Sequence, residues 1–156
     1  ISEVLKTFPG VEHRIEYVDS IDRVQFFNDS KGTNSDASIK AIEAVDSPIV
    51  LIAGGMDKGI EFDDFILAFK EKVKALILLG ETKEKIKKTA LKHGFENVFM
   101  VNDMEEAVKK SFQLAQQGDN ILLSPACASW DMYNSFEDRG NDFKKVVYRL
   151  KEEQNG

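Results

Sequence analysis

The sequence predicts a doubly wound α/β domain, a mostly parallel sheet of about six strands flanked by helices. Two observations carry this. Short, mainly aliphatic runs recur at Ile49–Ala53, at 75–79, at 98–101 and at Asn120–Leu123, each suited to a strand buried on both faces. Between them lie stretches with apolar residues at helical spacing, so strand and helix alternate.

The elements follow in order. Residues 13–19 alternate, with Arg14 and Glu16 against Ile15 and Tyr17, and residues 23–28 are rich in Val and Phe. Asp19, Ser20 and Asp22 supply a turn between these two strands. Ala37, Ala41 and Ala44 with Ile42 and Val45 form the first helical stripe. Phe62, Phe65, Ile66, Phe69 and Val73 form a second, spaced i, i+3, i+4, i+7, i+11. Residues 83–93 are helical and weakly amphipathic, with five lysines on the wet side, a solvated face. Met104, Ala107, Val108, Phe112 and Ala115 mark the next helix, and Phe143, Val146, Val147 and Leu150 the last. Charges and a terminal glycine predict a frayed end beyond about Leu150. At the other end, Val4, Leu5 and Phe8 followed by Pro9-Gly10 predict that residues 1–10 are a helix end left from a preceding domain, with 11–156 the domain itself.

Composition narrows the function. The 156 residues are 42% hydrophobic, enough for one packed core. Twenty-one Lys and Arg stand against 27 Asp and Glu, a net charge of −6, which disfavours a nucleic-acid partner because such a protein needs a basic face. The apolar runs are far too short to span a membrane, and one cysteine cannot close an internal disulfide. With no basic-then-apolar leader, a cytoplasmic location is expected.

Ligands of such sheets sit outside the carboxyl ends of the strands, which directs attention to the loops at 28–35, 54–61, 80–82 and 124–139. Asn28-Asp29-Ser30-Lys31-Gly32-Thr33-Asn34 joins a strand to a helix, with Thr33, Asn34 or Ser35 as candidate N-caps. Polar residues this dense hold an anion or a sugar hydroxyl, or form only a capped turn. Gly54-Gly55-Met56-Asp57-Lys58-Gly59 has neither G-x-x-x-x-G-K-[ST] nor G-x-G-x-x-G spacing, which excludes a Walker loop and weakens a dinucleotide assignment. It leaves Lys58 at the sheet edge, suited to a carboxylate or phosphate or simply solvated. Ser124-Pro125-Ala126-Cys127-Ala128-Ser129-Trp130-Asp131 opens a loop of about fifteen residues, in which small residues let a ligand approach the backbone. Trp130, Tyr133 and Phe136 are costly to expose there without purpose. Cys127 reads as a small packed residue in preference to a nucleophile, and His13 and His93 as ordinary surface or strand histidines. Two histidines and one cysteine give no metal cluster.

Taken in order across about residues 11–150, His13-Arg14, the Asn28 to Asn34 run, Gly54-Gly55 with Lys58, and the Ser124 to Ser129 run continuing to Phe136 and Arg139-Gly140 resemble the C-terminal domain of the Mur ligases, which is Rossmann-like. The first and last long runs resemble most the branch that adds D-glutamate. Departures are small: Gly32 where alanine is also seen, Met56 inserted in the glycine loop, and Trp130 where an aliphatic can stand. The resemblance implies an ATP-dependent amide ligase of peptidoglycan precursor synthesis, joining D-glutamate to UDP-N-acetylmuramoyl-L-alanine. It implies partner domains as well, an N-terminal one for the UDP moiety and a central one for the ATP phosphates and Mg2+, so this chain alone is expected to be inactive. By resemblance Thr33, Lys58, Ser129 and the backbone near Trp130 and Phe136 hold D-glutamate, Arg14 and Asp29 contact ATP, and Lys31 lies between the nucleotide phosphate and the amino acid. The alternatives are a folylpolyglutamate-type or diamino-acid-adding ligase, or a stand-alone doubly wound binding module.

Overall fold

The computed structural model describes residues 11–155; the helix end expected within 1–10 lies outside them. Strands β1 (Glu16–Ile21) and β2 (Val24–Asn28) form an antiparallel hairpin. Its turn is Asp22-Arg23, both left-handed at φ 50° and 64°, the backbone that lets a two-residue turn match the twist of its strands. The first strand begins later than its alternation suggested, because His13 and Ile15 are themselves left-handed, at φ 67° and 46°. Extended backbone therefore starts only at Glu16.

Helix α1 (Ser35–Ala44) follows, capped by Asn34, whose side chain accepts from the Ala37 amide at 2.9 Å. Then come β3 (Ile49–Ala53), α2 (Asp63–Leu67), β4 (Val73–Leu78), α3 (Lys83–Lys92), β5 (Val98–Met100), α4 (Met104–Leu114), β6 (Asn120–Leu123) and α5 (Phe136–Asn155). The second helix is shorter than its apolar spacing suggested. It stops at Leu67, Lys70 turns the chain at φ 48°, and Val73 enters β4 opposite Ile49. Phe65 and Phe69 still meet edge to face, with ring centroids 5.2 Å apart, so the spacing reported a cluster and not one continuous helix. Nor does the chain fray beyond Leu150: α5 runs on to Asn155, and Lys151 Nζ lies 2.7 Å from Asp19 Oδ1.

The sheet order is β1-β2-β6-β3-β4-β5, parallel except for β1. Ile49, Leu51 and Ala53 pack with Phe27, Ile42, Phe65 and Ile86 under α1, α2 and α3. Val50 and Ile52 face the other way, with Phe26, Val108 and Phe143 under α4 and α5. Burial on both faces is why the strands read as unbroken aliphatic runs. Because β6 lies between β2 and β3, the carboxyl ends of these three strands are neighbours and their loops share one edge. Among the described residues no helix is long and apolar enough to cross a membrane.

Candidate functional site

The loop leaving β2 is folded back on itself. The Asp29 amide donates to Leu123 O at 2.7 Å and the Gly32 amide to Asp29 O at 2.8 Å, which turns the chain at the end of β6. The Asp29 carboxylate faces inward, only 4% exposed. Its Oδ1 accepts from the Ile15 amide at 3.1 Å and its Oδ2 from Ser124 Oγ at 2.7 Å; Ser124 Oγ is in turn 2.8 Å from Ser38 Oγ. Burial pushes the carboxyl up to about 6, against the pull of the Ser124 hydroxyl, the Ile15 amide and the Arg14 and Arg139 charges. Asp29 therefore ties three segments together, a duty its place at a strand end did not announce.

Two clefts open on this edge. The first, about 450 Å³, is lined by Arg14, Ile15, Asp29, Lys31, Gly32 and Lys40 among others. Three cations, Arg14, Lys31 and Lys40, against two carboxylates, Asp29 and Asp36, suit an anionic ligand that also carries hydroxyl groups. The second, about 330 Å³, is lined by Thr33, Lys58, Ala128, Ser129, Trp130, Ser135, Phe136 and Glu137. The sequence-derived candidates thus divide between the clefts: Arg14, Asp29 and Lys31 line one, and Thr33, Lys58, Ser129, Trp130 and Phe136 the other. Lys31 and Thr33 are two positions apart in the same loop yet line different clefts.

The second cleft is built by stitching the loop after β3 to the loop after β6. The Met56 amide donates to Ala128 O at 2.9 Å and the Gly54 amide to Pro125 O at 3.0 Å, while the Gly55 amide donates to Thr82 Oγ1, in the loop after β4, at 3.0 Å. A Cβ on Gly55 would lie 2.5 Å from Ala128 O, so the close approach requires glycine. Tyr133 anchors the far end of the loop, its hydroxyl donating to Asp142 Oδ2 of α5 at 2.6 Å. Trp130 stays 61% exposed, and Lys58 Nζ stands 4.8 Å from its ring centroid.

Beneath both clefts lies Arg139, to which sequence reasoning gave no role. Its side chain is buried; Nε donates to Ser30 Oγ at 2.9 Å, Nη2 to Ser30 O at 2.8 Å and Nη1 to Cys127 O at 2.9 Å. Ser30 Oγ donates to Phe136 O at 2.7 Å. One guanidinium fork thereby fixes the loop of the first cleft against that of the second. Burial pulls its pKa down to about 10, which leaves it charged at neutral pH. The signal was present: Arg139 stands at i−4 to Phe143 and i−11 to Leu150, on the apolar stripe of its own helix.

His13 corrects another expectation. It is buried in the turn before β1, with Nδ1 2.9 Å from Asn28 Nδ2 and its ring edge-on to Phe136 at 6.0 Å. Gly140 makes room for it, since a Cβ there would collide with the imidazole. Cys127 is buried as well; burial pushes its thiol up to about 11, outweighing the Thr82 hydrogen bond, so it stays protonated and packs as a small apolar residue.

Residues 13–127 match the family described as Mur ligase, glutamate ligase domain. A UDP-N-acetylmuramoylalanine–D-glutamate ligase from Caldanaerobacter subterraneus subsp. tengcongensis is 60% identical over 153 residues, which is 97% of this chain and 34% of that protein. One from Clostridioides difficile is 58% identical over 151 residues, again 97% and 34%. The chain therefore spans about a third of the length of the curated relatives it matches. Among solved structures, a UDP-N-acetylmuramate-alanine ligase from Thermotoga maritima superposes with a TM-score of 0.59 at 15% identity, covering 96% of this chain and 33% of that one, a likeness of fold.

Proposed function

We propose, from the fact that this chain belongs to the Mur ligase family through its glutamate ligase domain, that it is the amino-acid-binding part of an ATP-dependent ligase joining D-glutamate to UDP-N-acetylmuramoyl-L-alanine. Support comes from the high identity to D-glutamate ligases over nearly the whole chain. The observation that carries the site assignment is that Lys58 and Ser129, from loops far apart in sequence, line one cleft with Thr33 and Phe136.

In the complete enzyme the alanine carboxylate attacks the γ-phosphorus of ATP, forming an acyl phosphate and releasing ADP. The D-glutamate amine then attacks the acyl carbon, losing a proton as phosphate leaves and the amide forms. This domain's part is to bind and orient two anionic partners and to exclude water between them. Lys58 offers a point charge to a D-glutamate carboxylate, and Ser129 and Thr33 offer hydroxyl donors. Arg14 and Asp29 are assigned to ATP, with Asp29 accepting from ribose hydroxyls through the lone pairs that Ile15 and Ser124 leave free. Lys31 and Lys40 add positive charge on the same cleft, suited to the phosphates. Following the resemblance, Mg2+ is assigned to the central domain, and no step is routed through it here. The location is cytoplasmic, where ATP is at hand.

The test is kinetic, on the full-length enzyme. A charge-assisted hydrogen bond contributes about 1.5–3 kcal/mol, so Lys58→Ala should weaken D-glutamate use roughly ten- to a hundred-fold. Ser129→Ala should cost less, because water can replace a neutral donor. Unchanged D-glutamate kinetics in Lys58→Ala would refute the assignment. Offering the enzyme a panel of acceptor substrates and amino acids separates this ligase from a folylpolyglutamate-type one of the same fold.

A further inference from the structure

Lys58 is held in an unusual way. Its ammonium stands 4.8 Å from the centroid of the Trp130 ring, and no acidic side chain among the described residues lies within ion-pair distance of it. The carboxylates of the surrounding loops have other contacts. Asp57 accepts from the Gly59 amide at 2.9 Å and faces Lys85 at 3.4 Å; Glu61 lies 3.9 Å from the same Lys85; Asp131 accepts from the Glu81 amide at 3.0 Å. Glu137 lines the cleft without pairing to Lys58.

An aromatic face attracts a cation through its quadrupole but brings no counter-charge. A carboxylate in the same place would orient the lysine equally well and cancel the charge that a ligand needs. The ring instead restrains the flexible lysine stem before ligand arrives, so less rotamer freedom is lost on binding, while the ammonium keeps its charge for an incoming carboxylate. This also accounts for an indole left 61% exposed at the rim of a cleft.

We propose that Trp130 is a positioning residue for Lys58: its indole face presets the ammonium at the mouth of the second cleft and so strengthens binding of the acidic amino acid. The proposal rests on the assignment of that cleft to D-glutamate. It is tested in the full-length enzyme with Trp130→Leu, Trp130→Phe, Lys58→Ala and the double variant Trp130→Leu/Lys58→Ala. An exposed cation–π contact has the strength to change binding roughly two- to fivefold. Trp130→Leu should raise KM for D-glutamate by that factor, with kcat and KM for ATP unchanged. Trp130→Phe should retain most of the affinity, and Trp130→Leu should add nothing once Lys58 is alanine. A direct readout comes from NMR, where ring current should shift the Lys58 ε-methylene protons upfield in the wild type and in Trp130→Phe but not in Trp130→Leu. If Lys58→Ala impairs D-glutamate use while Trp130→Leu leaves it and the Lys58 shifts unchanged, the proposal is overturned and the cleft assignment survives. If Trp130→Leu has its full effect even without Lys58, the ring acts as a cleft wall and the proposal is overturned. If Lys58→Ala has no effect, the cleft assignment fails and the proposal falls with it.

Discussion

Replacing Asp29 by asparagine should change how stability depends on pH more than it changes the fold. Asparagine keeps an oxygen to accept from the Ile15 amide, and its NH2 donates to Ser124 Oγ, which then donates to Ser38; the chain of contacts closes with the neutral side chain. In the wild type, burial raises the carboxyl from 3.8 to about 6. Between those values the folded chain holds a proton that the unfolded chain has released, so stability falls as pH rises, by about 1.4 kcal/mol per unit. The loss is complete above the folded value and amounts to about 3 kcal/mol at neutral pH. Asp29→Asn, which mimics the protonated form, should match the wild type near pH 4 and exceed its stability by up to about 3 kcal/mol at pH 7. Urea unfolding of the 156-residue chain at half-unit steps across this range measures the difference. Comparing the two proteins cancels the opposite slope of carboxylates such as Asp63, which Lys92 and His93 hold down at about 2. A stability difference that stays constant from pH 4 to 7 would show that Asp29 is not buried at the cost described.

Arg139→Lys keeps the charge but loses the planar fork, so at least one of Ser30 O and Cys127 O is left without a donor; unfolding should show a loss of about 1–3 kcal/mol. A variant as stable as the wild type would mean that the fork does not hold the two loops together. The 156-residue chain supplied with ATP, D-glutamate and UDP-N-acetylmuramoyl-L-alanine should form no amide, because its sequence contains no Walker-type phosphate loop. Any turnover in a coupled ADP-release assay would contradict the division of labour proposed above.

How much of this was legible depended on the physical origin of each feature. Strands such as Ile49–Ala53 could be read directly, since a parallel strand covered on both faces leaves no room for polar residues. The short helix near Phe65 was overextended because aromatic packing continues through a turn that only the backbone at Lys70 reveals. The delayed start of β1 rests on left-handed His13 and Ile15; histidine tolerates that conformation, but a β-branched isoleucine gives no warning of it. Strand-end loops pointed to the clefts, and the resemblance set Arg14 and Asp29 apart from Thr33, Lys58 and Ser129, but residue spacing could not show that Lys31 and Thr33 part ways within one turn. The position of Arg139 on the apolar stripe of its helix signals burial, but nothing in sequence spacing shows that its fork joins Ser30 to Cys127.

The position of β6 also governs the order in which the domain comes into being. It comes after the other described strands in the chain, yet it pairs with both β2 and β3, which do not pair with each other. A chain ending before residue 120 has a two-stranded piece and a three-stranded piece, each with an unpaired edge of backbone N–H and C=O groups. Closure of the sheet waits on contacts distant in sequence, such as Phe26 with Ile121, the kind that slow folding. During synthesis those edges are open to other chains, and any holding factor that shields strands would act on this interval. The keystone strand is followed by Ser124 and, in the loop beyond, Ser129, so until the sheet has closed the second cleft does not exist and Asp29 in the first lacks its Ser124 partner.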